Sequence, residues 1–142
     1  RNLTIRIGTT MISGSGNTVN PTGIGKSLNI IGDFAYAYSG TVTSDAGSSA
    51  DKVLLEFTTG NFVLECTLSC QSDETGGATE FFVVELDSQK IVNASWDNSA
   101  SSNTVFDFPL PLIIPPHSKV KILGGASNQD IWTAQIVGRI YT

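Results

Sequence analysis

The sequence predicts an all-β fold, an antiparallel sandwich of about 8 to 10 short strands. Three observations support this prediction. Apolar and polar residues alternate with a period of two in many short segments, as in strands with one buried face. Stretches rich in Gly, Asn, Asp and Ser separate these segments at short intervals. Almost no segment has the apolar spacing of about 3.6 residues that is typical of an amphipathic helix.

The alternating segments follow one another along nearly the whole chain. The predicted strands are Leu3–Ile7, Leu28–Ile31, Phe34–Val42, Lys52–Thr58, Phe62–Gln71, Glu80–Asp87, Lys90–Trp96, Val105–Phe108, Ser118–Leu123 and Asp130–Tyr141. The residues around Gly60 and Ser88 have the composition of tight hairpin turns.

Residues 1–27 differ from the rest, because Gly, Ser, Thr and Asn dominate from Thr9 to Ser27. This composition predicts an extended N-terminal arm, followed by one folded domain over residues 28–142. An ordered polar arm would have to lie against a neighbouring subunit.

The two cysteines lie in the segment with the clearest alternation, Phe62–Gln71. Cys66 and Cys70 share parity with its apolar residues, which predicts that both are buried. An extended strand holds them about 13 Å apart, whereas a disulfide requires Cα atoms within about 7 Å. We therefore predict that both thiols are reduced and fill core space.

Five aromatic residues are candidates either for the core or for a surface that binds sugars. Phe34, Tyr36 and Tyr38 share parity on one predicted strand, and we expect this stripe to pack in the core, as aromatic residues do in sandwiches. Trp96 and Trp132 are the candidate contacts for a glycan.

The composition excludes several partners. Only 15% of the 142 residues are charged, and 8 Lys and Arg against 13 Asp and Glu give a net charge of −5. A nucleic-acid backbone would be repelled, so we predict no nucleic-acid binding. No apolar stretch reaches the length of about 18 residues that a membrane span requires.

Two features could indicate nucleotide binding or catalysis, and each lacks residues that the function requires. The segment Gly23–Ser27 is similar to the end of a phosphate-binding loop, but Asn20 stands where that motif needs glycine. His117 is the single histidine, and the sequence assigns it neither a nucleophile nor an orienting acid. The sequence therefore predicts no enzyme activity and no cofactor.

The sequence also predicts no metal site. The cysteine pair lacks further thiolate or imidazole ligands of suitable spacing. Asp97, Asn98, Asn128 and Asp130 could offer oxygen atoms to Ca²⁺ between two loops, an alternative that stays open without a spaced acidic motif to support it.

Four prolines mark the segment from Asp107 to His117, which we expect to be a stiff extended crossing, not a strand throughout. Exposed apolar residues on such a crossing suit a contact between subunits. The candidate contact residues are Leu110, Leu112, Ile113, Pro115, Pro116 and His117.

Three segments resemble a type of β-rich domain found in virion proteins of DNA viruses and phages: Leu54–Phe62, Leu112–Ile122 and Val137–Tyr141. The resemblance spans Leu28 to Thr142. It implies a jelly-roll domain of the capsid, decoration or spike kind, and no catalytic residue belongs to its pattern.

From these observations we expect a structural component of a virus particle, located in the virion and acting through protein–protein contacts. Its partners would be copies of itself, in a homo-oligomer and most simply a trimer, and other virion proteins. The alternative is a carbohydrate-binding receptor or adhesin domain, and the two are compatible because a spike can bind host glycans.

Overall fold

The computed structural model describes residues 25–74, 78–97, 104–107 and 109–142. All regular secondary structure in these residues is β-strand. The strands are β1 (Gly25–Ile31), β2 (Phe34–Tyr38), β3 (Val42–Thr43), β4 (Lys52–Thr58), β5 (Val63–Glu74), β6 (Thr79–Leu86), β7 (Gln89–Asp97), β8 (Thr104–Asp107), β9 (Leu110–Ile114), β10 (Lys119–Ala126) and β11 (Ile131–Tyr141). The prediction of an all-β fold is confirmed, while the predicted strand Leu3–Ile7 and most of the predicted arm lie outside the described residues.

The strands form two antiparallel sheets. The larger sheet has the order β9-β5-β11-β2-β1, and the smaller sheet has the order β4-β10-β6-β7. Two short strands of the larger sheet, β2 and β3, both pair with β11. In the same way β8 and β9 both pair with β5. We therefore treat β2 and β3 as one interrupted strand, and β8 and β9 as another.

With these two strands counted once each, the eight strands that follow β1 pair in a nested order. The first pairs with the eighth (β2/β3 with β11) and the second with the seventh (β4 with β10). The third pairs with the sixth (β5 with β8/β9) and the fourth with the fifth (β6 with β7). This is the chain path of a jelly roll, so the predicted jelly-roll sandwich is confirmed.

The core lies between the two sheets and is built by the strand alternation. In β5 the even-numbered residues from Leu64 to Ser72 are buried, and in β11 the even-numbered residues Trp132, Ala134 and Ile136 are buried. The smaller sheet contributes residues of β4, β6 and β10 to the same cluster, among them Leu54, Leu55, Phe82, Val84, Val120 and Ile122.

Cys66 and Cys70 are free thiols on the inner face of β5, as predicted. Cys66 is 5% exposed and Cys70 is fully buried. Burial raises the pKa of the Cys66 thiol to about 12, because the thiolate would lose its hydration. The neutral thiol therefore fills core space as a small apolar group.

The proline-rich segment contains a strand that the sequence did not predict. Leu110–Ile114 pairs with β5 at the edge of the larger sheet, and Pro111 lies opposite Thr67. Proline is tolerated there because an edge strand leaves one side of its backbone without a ladder. The predicted strands therefore missed these five residues.

Candidate functional site

The outer face of the larger sheet carries the exposed aromatic stripe. Ala35 and Ala37 are 2% and 0% exposed, whereas Phe34 is 60% exposed and lies on the opposite face. The expectation that the aromatic residues pack in the core is therefore wrong. The physical reason is space: Ala37 lies beside buried Ile136, and small side chains are what this part of the core accommodates.

Exposed apolar side chains concentrate on this sheet. We define the apolar patch as Ile31, Phe34, Ile113, Val137 and Tyr141, which are 64%, 60%, 71%, 44% and 50% exposed. Register places Phe34 and Ile113 in one row across the sheet, because Arg139 lies opposite both Phe34 and Glu65, and Glu65 lies opposite Ile113. A cleft of about 500 Å³ runs between these strands and is lined by residues that include Thr67, Pro111, Ile113 and Val137.

The side chains around the apolar patch include charges of both signs. The guanidinium of Arg139 lies 5.2 Å from the centre of the Phe34 ring and 3.9 Å from Asp33 Oδ2. The Tyr141 hydroxyl donates a hydrogen bond of 2.9 Å to Glu65 Oε1, which raises the pKa of Tyr141. The patch therefore carries one positive and two negative side chains beside its apolar surface.

A second cleft, which we call the polar cleft, lies on the same sheet where β2 and β3 are interrupted. It has a volume of about 310 Å³ and is lined by Tyr38, Gly40, Ser69, Gln71, Thr133, Ala134 and Gln135. Gly40 has a positive φ of 66°, and the Ala134 amide donates 2.8 Å to Ser39 Oγ where the strand ladder is broken. This break shapes the cleft, and its lining carries no charged side chain.

The predicted subunit-contact residues separate into two groups. Ile113, Pro115, Pro116 and His117 are exposed, while Leu110 and Leu112 are half-buried and pack against the core. The expected exposure of the two leucines is therefore wrong, because alternation in β9 turns them toward the inner face together with buried Ile114.

The turn that holds His117 is fixed to the turn between β4 and β5. The His117 amide donates 3.0 Å to the Gly60 carbonyl, and Thr59 Oγ1 donates 2.7 Å to the Pro115 carbonyl. His117 itself has a positive φ of 57° and is exposed. The contacts in this turn hold the backbone in place.

The two tryptophans do not form a platform for sugars. Trp132 is 0% exposed, so a glycan can reach neither face of its indole ring, and this prediction is wrong for Trp132. Trp96 is half-buried, and its ring centre lies 6.4 Å from that of Trp132 in an edge arrangement. Both rings belong to the core and its margin.

A buried carboxylate joins the two sheets beside these tryptophans. Glu80 is 1% exposed and accepts hydrogen bonds from the Ser72 hydroxyl and, at 3.1 Å, from Trp96 Nε1. Ser72 belongs to the larger sheet and Glu80 to the smaller sheet. Strand patterning missed this polar link because it treats buried positions as apolar.

Metal ligands do not cluster in the part of the chain that the structure describes: no group of three or more His, Cys, Asp or Glu side chains is close enough to hold an ion. Of the candidate Ca²⁺ ligands, Asn98 lies outside the described residues. Asp130 is 2% exposed, and its amide donates 3.1 Å to Ser44 Oγ. Among the described residues, no helix has the length and apolar character to cross a membrane.

Comparison with models of known protein families gives no match, and comparison with curated proteins gives none either.

Proposed function

We propose that this chain is a structural component of a virus particle, a capsid, decoration or spike protein that assembles through protein–protein contacts. The observation that carries the proposal is the apolar patch on the outer face of a jelly-roll sheet. Jelly rolls recur in viral capsids, although lectins and cupins also use them, so the fold alone does not decide the function. The resemblance of three segments to virion proteins supports the viral assignment.

Most of the large exposed apolar residues among the described residues lie on the larger sheet. Single exposed apolar residues are ordinary, but several on one sheet face are typical of an interaction surface. Ile91, which is 48% exposed, belongs to the smaller sheet, while the residues of the patch belong to the larger one. We propose that the patch is the contact between copies of the chain.

A second copy is the partner that the charges favour. Arg139, Asp33 and Glu65 bring both signs to the patch, so Arg139 of one copy can pair with an acidic side chain of another. We propose that the exposed turn Pro115–His117 forms a rigid edge of the same subunit contact, because proline fixes its backbone. We propose a homo-oligomer, most simply a trimer, which then contacts other virion proteins.

The oligomeric state tests this interface. Multi-angle light scattering of the purified chain should give a trimer at micromolar concentration. Replacing Ile113 with Lys, or Val137 with Lys, should dissociate it, because each change places an unpaired charge in a desolvated contact. The matched control is Ile91→Lys on the smaller sheet, which should leave the assembly intact. A stable monomeric wild type would contradict the proposed interface.

The viral role is tested separately on particles. Mass spectrometry of virions purified from the virus that encodes the chain should detect it at a copy number comparable to that of other structural proteins. Its absence from purified particles would contradict the proposal. We also propose that the chain has no hydrolase activity. A hydrolase screen with turnover that is abolished by changing His117 would contradict this.

Carbohydrate binding is the second candidate function, and a specific observation favours it. The polar cleft combines a tyrosine ring with uncharged hydroxyl and amide groups on an exposed sheet face. This function is compatible with the first, since a protein of the particle surface can also attach to glycans.

A further inference from the structure

The polar cleft has an aromatic wall whose position is fixed by its neighbour. The ring centres of Tyr36 and Tyr38 lie 5.2 Å apart with a tilt of 38°, so the two rings are in contact along the strand. Tyr38 is half-buried and lies opposite Gln135 in β11. A ring held in this way loses little freedom when a ligand stacks on it.

The remaining lining is a set of neutral hydrogen-bonding side chains on two paired strands. Gln135 lies opposite Ser69, and Thr133 lies opposite Gln71. Gln71, Thr133 and Gln135 are exposed, and Ser69 is half-buried. None of these four side chains has a hydrogen-bond partner within the described residues, which leaves amide and hydroxyl groups available to a ligand.

We infer that the polar cleft binds a neutral saccharide, with the C–H face of a sugar ring against Tyr38 and its hydroxyls bonded to Gln71, Thr133 and Gln135. A sugar ring has an apolar face and a rim of hydroxyls that both donate and accept, and the cleft offers the complement of each. The inference rests on the second candidate function and names its site.

The same features argue against other ligands. The lining has no Lys, Arg or His to pair with a phosphate, a sulfate or a sialic-acid carboxylate. Its volume of about 310 Å³ lies at the small end of the range of about 300 to 1,000 Å³ that is usual for ligand sites, which suits one or two sugar rings. The cleft is also distinct from the apolar patch, since no lining residue of the cleft belongs to the patch.

The experiment is a glycan array that displays neutral and sialylated glycans, followed by calorimetry with the free form of any neutral glycan that is retained. Wild type should bind a neutral glycan, and Tyr38→Ala and Gln135→Ala should each lower the affinity by about tenfold or more. Tyr38→Phe should retain most of the affinity because it keeps the ring. The matched control is Ile91→Ala, an exposed apolar residue of the smaller sheet outside both the cleft and the apolar patch, which should bind as wild type does.

Three outcomes would overturn the inference, and they are distinguishable. If no glycan is retained by wild type, carbohydrate binding fails together with the site. If a neutral glycan is retained equally by wild type and by folded Tyr38→Ala and Gln135→Ala, binding stands and the site is wrong. If only sialylated glycans are retained, the proposed neutral chemistry is wrong. Circular dichroism and thermal melting of each variant establish that it is folded.

Discussion

At the scale of single residues, the burial of Cys66 should make the free energy of unfolding fall at alkaline pH. Burial raises the pKa of the Cys66 thiol from an ordinary value of 9.0 to about 12. Above pH 9 the unfolded thiol therefore loses its proton while the folded one retains it, so the stabilising difference is fully present below pH 9 and is lost as pH rises toward 12.

We predict that the free energy of unfolding of wild type falls more steeply above pH 9 than that of Cys66→Ala. The difference should be at most about 1.4 kcal/mol per pH unit. Below pH 9 the variant should be less stable by about 1 to 2 kcal/mol, since it only empties a small core site. Urea denaturation at several pH values measures both effects. Parallel pH profiles of the two proteins would contradict the buried neutral thiol.

The hairpin between β6 and β7 places two non-glycine residues in the left-handed region. Asp87 and Ser88 have φ values of 50° and 68°, the sign that a type I′ turn requires at both central positions. A hydrogen bond holds Asp87 in this conformation: the Lys119 amide donates to Asp87 Oδ1 at 2.8 Å. Ser88 has no such contact among the hydrogen bonds of the described residues.

We predict that Ser88→Gly raises the free energy of unfolding by about 0.5 to 1 kcal/mol, because glycine adopts positive φ without strain. The matched control is Gly32→Ala in the β1–β2 turn, where φ is +60° and no atom lies within 4 Å of an added Cβ. It should lower stability by a similar amount through backbone strain alone. Chemical denaturation checks both, and a destabilised Ser88→Gly would contradict the argument.

At the scale of elements, the sequence predicted strands well where alternation is unbroken. Lys52–Thr58 has the predicted bounds, and the inward parity of Phe62–Gln71 is confirmed. Leu110–Ile114 was missed because proline usually excludes a strand, and the sequence alone does not reveal that this strand lies at a sheet edge. For β2 the sequence predicted the alternation correctly but assigned the wrong face to the core, since local parity cannot tell which face is buried.

The link between the two sheets at Glu80 supplies the next prediction. Replacing Glu80 with Leu leaves the Ser72 hydroxyl and the Trp96 Nε1–H without this acceptor in a buried place. We predict a loss of about 2 to 5 kcal/mol in the free energy of unfolding. Glu80→Gln should lose only about 1 kcal/mol, because its carbonyl oxygen can face Trp96 while the Ser72 hydroxyl turns to accept. Urea denaturation of both variants measures this, and a Leu variant as stable as wild type would contradict it.

At the scale of the whole molecule, the all-β sandwich class followed from the sequence, whereas the sites did not. The nested pairing joins residues as distant as Tyr36 and Val137, and local pattern contains no information about which strands meet. The polar cleft unites residues of three strands beside a break at Gly40. Trp96 and Trp132 were chosen for residue type alone, and residue type does not report burial.

The larger sheet thus carries two surfaces, and we predict that they are energetically separable. The apolar patch and the polar cleft share no residue. Ile113 and Tyr38 lie on strands that two other strands separate, and changes at distant positions usually behave additively. Ile113→Lys should therefore dissociate the oligomer and leave the monovalent affinity for a neutral glycan unchanged. Tyr38→Ala should do the reverse.

Multivalency makes the array signal depend on the oligomeric state, whereas the affinity for a free glycan does not. A trimer that displays three clefts gains avidity on a dense array without any new contact, so Ile113→Lys should lose array signal while calorimetry with a free glycan finds the affinity of wild type. Tyr38→Ala should lose both signals and still elute as a trimer in light scattering. If Ile113→Lys lowered the monovalent affinity as much as Tyr38→Ala does, while melting at the wild-type temperature, the glycan would have to bind across the subunit contact. The two surfaces would then be one site.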